Sequence, residues 1–263
     1  MIRRKATWNN PPDRGIKYGM GLFETIKVID GKPQFLRRHL DRLIHGVDFV
    51  GIQAPGLYEH LLDEIASLPI QGNNTISLTV ADAPNGYNIL VSSELRTHNP
   101  YRENGLKVTA SVPALRDAYN PLNQFKTCNY LLNYLTRNRA REKGFDEVLF
   151  LNQFGGVTEG TFTNFFFIKG DTVLTPPPSE GLLPGIFREV LTEALRGAGI
   201  KVEERRILFS DEIGRMDGAF VTNSLIPMER VSEIDGVALG TPPLYGEILD
   251  VARTLDSTIR PAE

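Results

Sequence analysis

Only one cysteine, Cys128, occurs in 263 residues. No internal disulfide can therefore staple the chain, and this usage suits a reducing compartment. Long apolar runs are also missing. Stretches such as Phe165–Ile168 fall far short of the ~20 residues that cross a bilayer, so no membrane partner is expected. Basic residues open the chain at Arg3, Arg4 and Lys5, but no apolar segment follows them. A secretory signal is not expected, which points to the cytoplasm. Nor is there a basic excess: the formal net charge is -3, which argues against a nucleic acid partner. Internal repeats and low-complexity segments are absent too.

What is present is a chain long enough for two modest domains with substantial cores. "GLFETIKVIDGKPQFL" predicts two strands joined by a turn at Asp30-Gly31. "RRHLDRLIHGVDFVGI" predicts a helix with Leu40, Leu43, Ile44 and Val47 on one side, and "LYEHLLDEIASL" a second helix. The strands "NTISLTVAD" and "YNILVSSEL" follow. "PALRDAYNPLNQ" has two prolines and no sustained period, and reads as a linker. Beyond it, "NYLLNYLTRNRAREKG" predicts an amphipathic helix with Tyr130, Leu131, Tyr134 and Leu135 at three- and four-residue spacing. Strands are expected at "DEVLFLN", "FTNFFFIKG", "DTVLTP", "KVEERRI" and "GAFVTNSL". A helix is expected from "IFREVLTEALRGAGI", and a short one from "SDEIGRM" capped by Ser210 or Asp211. This alternation predicts an α+β protein of two domains, 1–113 and 123–263, with a linker at 114–122.

Four places carry chemical potential, each with an ordinary reading beside it. Lys126 stands just ahead of a predicted helix, where a cation gains nothing from the helix dipole; most such lysines are merely solvated. Pro184-Gly185 opens a helix whose free amides at Gly185, Ile186 and Phe187 would suit a phosphate, although most helix starts bind nothing. Glu159, among small and hydroxylated residues before an apolar strand, is either a turn residue or a buried anion kept for a cation. Arg42 shares a helix with Leu40 and Leu43 and could reach out with a forked cation, as many exposed arginines do.

Taken in order, "GMGLFETIKVIDGK", "HLDRL", "FKTCNYLLN", "EVLFLNQFGGVTEGTFTNFFFIKG", "LLPGIFREV" and "FVTNSLIPMERV" resemble the class IV aminotransferases. These are fold-type IV enzymes that use pyridoxal 5'-phosphate (PLP). The resemblance implies a smaller N-terminal α/β domain, a larger C-terminal domain with a β pseudo-barrel, a homodimer and a small amine or amino-acid substrate; no metal is expected. It makes Lys126 the lysine that bonds the cofactor, an amine that must be available in neutral form and that then serves as the proton-transfer base. On the same footing, Glu159 contacts the ring nitrogen. Arg42 holds the phosphate with bidentate geometry, assisted by the amides of Ile186 and Phe187 and by Asn223 and Ser224.

Family members divide by reaction. "KTCNYL" and "VTNSL" are more similar to the aminodeoxychorismate lyase pattern than to the branched-chain form, which has an extra glycine after the lysine. The short chain agrees with a lyase, and an amino-acid transaminase of the D-amino-acid or branched-chain type is the alternative. A catalytically silent binding module of the same fold would need neither Lys126 nor Glu159. One departure is clear: Val80 and Asn85 stand where many lyases and D-amino-acid enzymes carry arginines. Two candidate carboxylate clamps are thus lacking.

Overall fold

The computed structural model describes residues 14–70, 72–84, 86–95, 102, 104–111 and 114–257. Helix α1 (Arg14–Tyr18) leads into β1 (Gly21–Ile29) and β2 (Lys32–Pro33). Asp30 and Gly31 both take positive φ, 49° and 76°, the conformation that makes Asp-Gly a hairpin turn. Next come α2 (Leu36–Phe49), α3 (Leu57–Ala66), β3 (Asn74–Ala83) and β4 (Gly86–Leu95). They form an antiparallel sheet in the order β2-β1-β3-β4, covered by the two helices.

Strand β1 is the pivot of the molecule because its side chains alternate between two environments. Leu22, Ile26 and Val28 enter the core under α2 and α3. Phe23 and Thr25 face a cavity shared with the rest of the chain. Lys27 closes that same side by pairing with Asp256 at 2.7 Å, both groups being buried. The strand thus carries one core and one wall of a site at once.

The second sheet begins earlier than the sequence suggests. Strands β5 (Leu106–Thr109) and β6 (Leu115–Arg116) both belong to it, so the chain crosses between sheets after Leu95 rather than at 113. The stretch 114–122 is no free linker: β6 pairs in parallel with β7 (Glu147–Asn152). A two-residue strand beside two prolines leaves no period to detect. After α4 (Leu131–Glu142) come β8 (Val157–Gly160), β9 (Asn164–Lys169) and β10 (Thr172–Thr175). They are followed by α5 (Ile186–Gly197), β11 (Lys201–Glu204), α6 (Phe209–Glu212), β12 (Gly218–Thr222), β13 (Glu229–Ile234), β14 (Val237–Ala238) and α7 (Pro243–Leu255).

Pairing runs β9-β12-β13-β5-β7-β8 and returns from β8 to β9, closing a six-stranded barrel, while β10 and β11 extend it as an open flank. Strand β9 shows how the sequence builds both faces. Phe165 and Phe167 fill the barrel with Leu149, Val157 and Val221, whereas Phe166 and Ile168 pack outward under α5 and α7. A strand buried on both faces reads as a continuous apolar run. Helix α6 is not capped by Ser210 or Asp211, since its N-cap is Leu208 and the Glu212 carboxylate accepts the Leu208 amide. No helix among the described residues is long and apolar enough to cross a membrane.

Candidate active site

Between β1, the segment 125–130, the β8–β9 turn and the start of α5 lies a cavity of about 270 Å³. Lys126, Arg42, Glu159, Ile186, Phe187, Asn223 and Ser224 all line it, although they come from five separate stretches of chain. Val80 does not; it is fully buried in the N-terminal core. Asn85 lies outside the described residues.

Lys126 is not held by the helix that follows it, since α4 starts only at Leu131. Instead, the lysine segment is laced to β1. The Phe23 amide donates to the Lys126 carbonyl at 2.9 Å and the Cys128 amide to the Gly21 carbonyl at 2.8 Å, with Leu22 and Thr127 bridged between them. The ammonium is thereby fixed 4.3 Å from the Phe23 ring and 4.8 Å from the Tyr130 ring. Burial in this aromatic niche, reinforced by the charge of Arg42, pushes its pKa down to about 8 against the pull of Glu24 and Glu159. A useful fraction is then neutral near physiological pH.

Burial, with a smaller push from the Glu147 carboxylate, holds the Glu159 carboxyl above its ordinary range. Arg116 Nη2 at 2.9 Å from Oε1, the Leu183 amide donating to Oε2 at 3.0 Å and the charge of Lys126 oppose that. Arg116 lies in the stretch read as linker and was missed for that reason. It is part-buried, with its guanidinium 4.9 Å from the Phe150 ring. Nothing short of the fold connects it to a carboxylate 43 residues away.

Arg42 lines the cavity from α2. Its Nε and Nη2 form a fork on Glu24 at 2.7 and 2.8 Å, and Nη1 donates to the Pro184 carbonyl at 2.7 Å. Burial would raise the Glu24 pKa, but Arg42 and a 2.7 Å contact with His39 hold it down to about 2. The fork orients the guanidinium and still leaves two of its five N–H groups for the cavity. The Pro184 contact also ties it to the mouth of α5, where the amides of Ile186 and Phe187 have no hydrogen-bond partner among the described residues. A Cβ at Gly185 would stand 2.0 Å from Asn164 Oδ1, so a larger residue there would have to displace that side chain.

Asn223 and Ser224 differ in availability. The Asn223 side chain accepts from the Leu225 and Ile226 amides and donates to the Phe162 carbonyl, so it shapes the turn. Ser224 keeps its hydroxyl and amide uncommitted among the described residues. Tyr130, read from sequence as part of an apolar helix stripe, also faces the cavity. Burial and the neighbouring Glu159 raise its hydroxyl pKa, so it stays protonated as a donor.

The donor set suits an aldehyde cofactor bearing a phosphate and a ring nitrogen. An amine of depressed pKa, a paired carboxylate, and a cradle of one guanidinium with two free helix amides line the same cavity. Residues 21–234 match the model of the family described as amino-transferase class IV. The chain belongs to that family. Among relatives of this class IV protein, one from Methanocaldococcus jannaschii bears a provisional name of branched-chain-amino-acid aminotransferase. It is 30% identical over 250 residues, covering 90% of this chain and 85% of its own. The solved 4-amino-4-deoxychorismate lyase of Pseudomonas aeruginosa superposes with a TM-score of 0.81 at 27% identity, covering 95% of this chain and 96% of that one. A Mycobacterium tuberculosis protein, described as a hypothetical aminotransferase in its PLP-bound form, shares the fold at 20% identity with a TM-score of 0.77 and coverage of 97% and 96%.

Proposed function

We propose that this class IV enzyme binds PLP and acts as a 4-amino-4-deoxychorismate lyase, releasing pyruvate to leave 4-aminobenzoate. The observation that carries the cofactor reading is Lys126, pushed down to about 8 in a cavity that also holds Glu159 and the free amides of α5. Bound PLP supplies an aldehyde that bonds amines and a ring that draws negative charge away from the amine-bearing carbon. Lys126 would hold the cofactor through its Nζ and, once displaced by the substrate amine, take the proton from the amine-bearing carbon. Glu159, restrained by Arg116 and the Leu183 amide, would face the ring nitrogen as a carboxylate. Arg42, Ile186, Phe187 and Ser224 would anchor the phosphate, with Asn223 fixing the turn that presents Ser224. Phe23, Tyr130 and Phe162 would supply the aromatic walls of the cavity in which the substrate reacts.

Support for a lyase comes from the spacing of Lys126, Asn129 and Tyr130 without an inserted glycine, and from the near-complete mutual coverage with the Pseudomonas aeruginosa enzyme. The Methanocaldococcus jannaschii relative favours a second reading, an amino-acid transaminase. Incubating PLP-loaded protein with aminodeoxychorismate, and separately with L- and D-amino acids plus a keto acid, distinguishes them. Aromatic product without keto acid exchange is expected, and exchange without aromatic product would overturn the lyase reading.

A homodimer is part of the same proposal. Leu131, Leu132, Tyr134 and Leu135 on α4 are all exposed, an apolar surface that a second copy would cover. Light scattering should return twice the mass of the chain.

A further inference from the structure

Glu147 is a buried carboxylate without an ion-pair partner among the described residues; Arg137 on α4 attracts it only from a distance. It opens β7 and, by the alternation of the strand, shares the inner face of the barrel with Leu149. Its partners are neutral donors. Oε1 accepts from the Val148 amide at 2.9 Å, the Thr161 amide at 3.1 Å and the Thr161 hydroxyl, and Oε2 accepts from the Thr163 hydroxyl at 3.3 Å. A charge taken out of water is costly unless its lone pairs are met. Here most of the donors come from one turn.

That turn, between β8 and β9, lines the cavity through Thr161, Phe162 and Thr163. Glu159 stands just ahead of it and pairs with Asn164 across it. Other groups take the carbonyls of the turn: Asn133 donates to Thr161 at 2.6 Å, Asn223 to Phe162 at 3.1 Å and the Gly160 amide to Thr163 at 2.7 Å. Among the described residues, only Glu147 accepts from the Thr161 amide and from both hydroxyls. Gly160 leaves the space for it, since a Cβ there would stand 2.1 Å from Thr163 Oγ1 and 3.2 Å from the Glu147 carboxyl carbon. The small and hydroxylated residues after Glu159 thus let one buried carboxylate grip the turn from behind the cavity wall.

We propose that Glu147 is a positioning residue: through the Thr161–Thr163 turn it fixes the end of β8, and so sets where Glu159 meets the ring of the cofactor. The inference rests on the cavity being the PLP site proposed above. Glu147 acts through its hydrogen bonds more than through its charge, because its repulsion of Glu159 is weaker than the effects of burial, Arg116, the Leu183 amide and Lys126. A neutral side chain of the same shape should therefore serve in its place.

The test compares full-length wild type, Glu147→Ala, Glu147→Gln and Leu174→Ala, the last a cavity-forming change in the barrel core on β10, which pairs with β9 beyond the turn. Amide exchange at residue 161 is measured without PLP, and visible circular dichroism per unit of absorbance with PLP bound. In Glu147→Ala, or in Thr161→Val if the alanine variant does not fold, that amide should exchange roughly tenfold faster. The dichroism should weaken because the ring is less firmly oriented, while the PLP dissociation constant stays as in wild type, since Arg42 and the α5 amides are untouched. Glu147→Gln should match wild type in both readouts, and Leu174→Ala should lower the melting temperature without moving either. Unaltered exchange at residue 161, or the same changes in Leu174→Ala, would overturn the proposal, the latter by reducing Glu147 to a packing residue. Faster exchange with unchanged dichroism would overturn it alone, whereas a wild type that takes up no PLP would remove the cofactor reading and this inference with it.

Discussion

Replacing Arg116 by glutamine removes the one cation in contact with Glu159 among the described residues while keeping most of the side-chain volume, and its cost should depend on pH. The pair is buried, with side-chain exposures of 14% and 8%. Losing one partner of such a pair costs about 3–5 kcal/mol if the other stays charged. Glu159 can reduce that by taking up a proton, because burial already pushes its pKa upward and Arg116 is the strongest influence holding it down. A raised carboxyl pKa means that the folded state binds the proton more readily than the unfolded chain. Its penalty is therefore present above the folded pKa and vanishes as pH falls toward the unfolded value. The cation–π contact with Phe150 adds a pH-independent ~1 kcal/mol. We expect Arg116→Gln to lose about 3 kcal/mol at pH 8 and about 1 kcal/mol at pH 5. At roughly 2–4 °C per kcal/mol this is about 6–12 °C and 2–4 °C. Thermal melts of the PLP-free protein at the two pH values provide the test. An equal loss at both would show that Arg116 does not govern the ionisation of Glu159.

Three further outcomes follow from the same geometry. Arg42→Ala should weaken PLP retention while leaving turnover in cofactor-saturated enzyme nearly unchanged, and an unaltered PLP dissociation constant would count against the phosphate role. The same variant strips Glu24 of its fork. Glu24 is held at about 2, so its stabilising pairing exists above the ordinary carboxylate pKa and fades as pH falls through 2; wild type and variant should differ most in melting temperature near neutrality and converge in acid. Glu159→Gln should keep the visible PLP absorbance but slow proton removal from substrate by roughly 100-fold, read in single-turnover experiments, with equal rates placing Glu159 outside the chemistry.

Much of this arrangement is legible in the sequence. The Asp30-Gly31 hairpin, the amphipathic α2 and α5 and the doubly buried β9 all announce themselves through local period and turn chemistry. The orientation of α4 did not. Its apolar spacing is real, yet Leu131, Leu132, Tyr134 and Leu135 face outward while Asn133, Thr136 and Ala140 are buried. A period of 3.6 identifies a face but not what it meets. Arg116 was hidden for a different reason, since it acquires meaning only from a long-range neighbour, Glu159. The short strands β5 and β6 are defined by their partners and carry no pattern of their own.

The central claim is that Lys126 bonds PLP in this cavity, and the most direct measurement is the visible absorbance of the purified protein with PLP, before and after borohydride. Wild type should show a band that borohydride abolishes, with the label fixed on the peptide containing Lys126, while Lys126→Ala should fold, fail to show the protein-linked band and have no turnover. A colourless wild type that stays so with added PLP, or a borohydride-fixed label on Lys126→Ala, would contradict it.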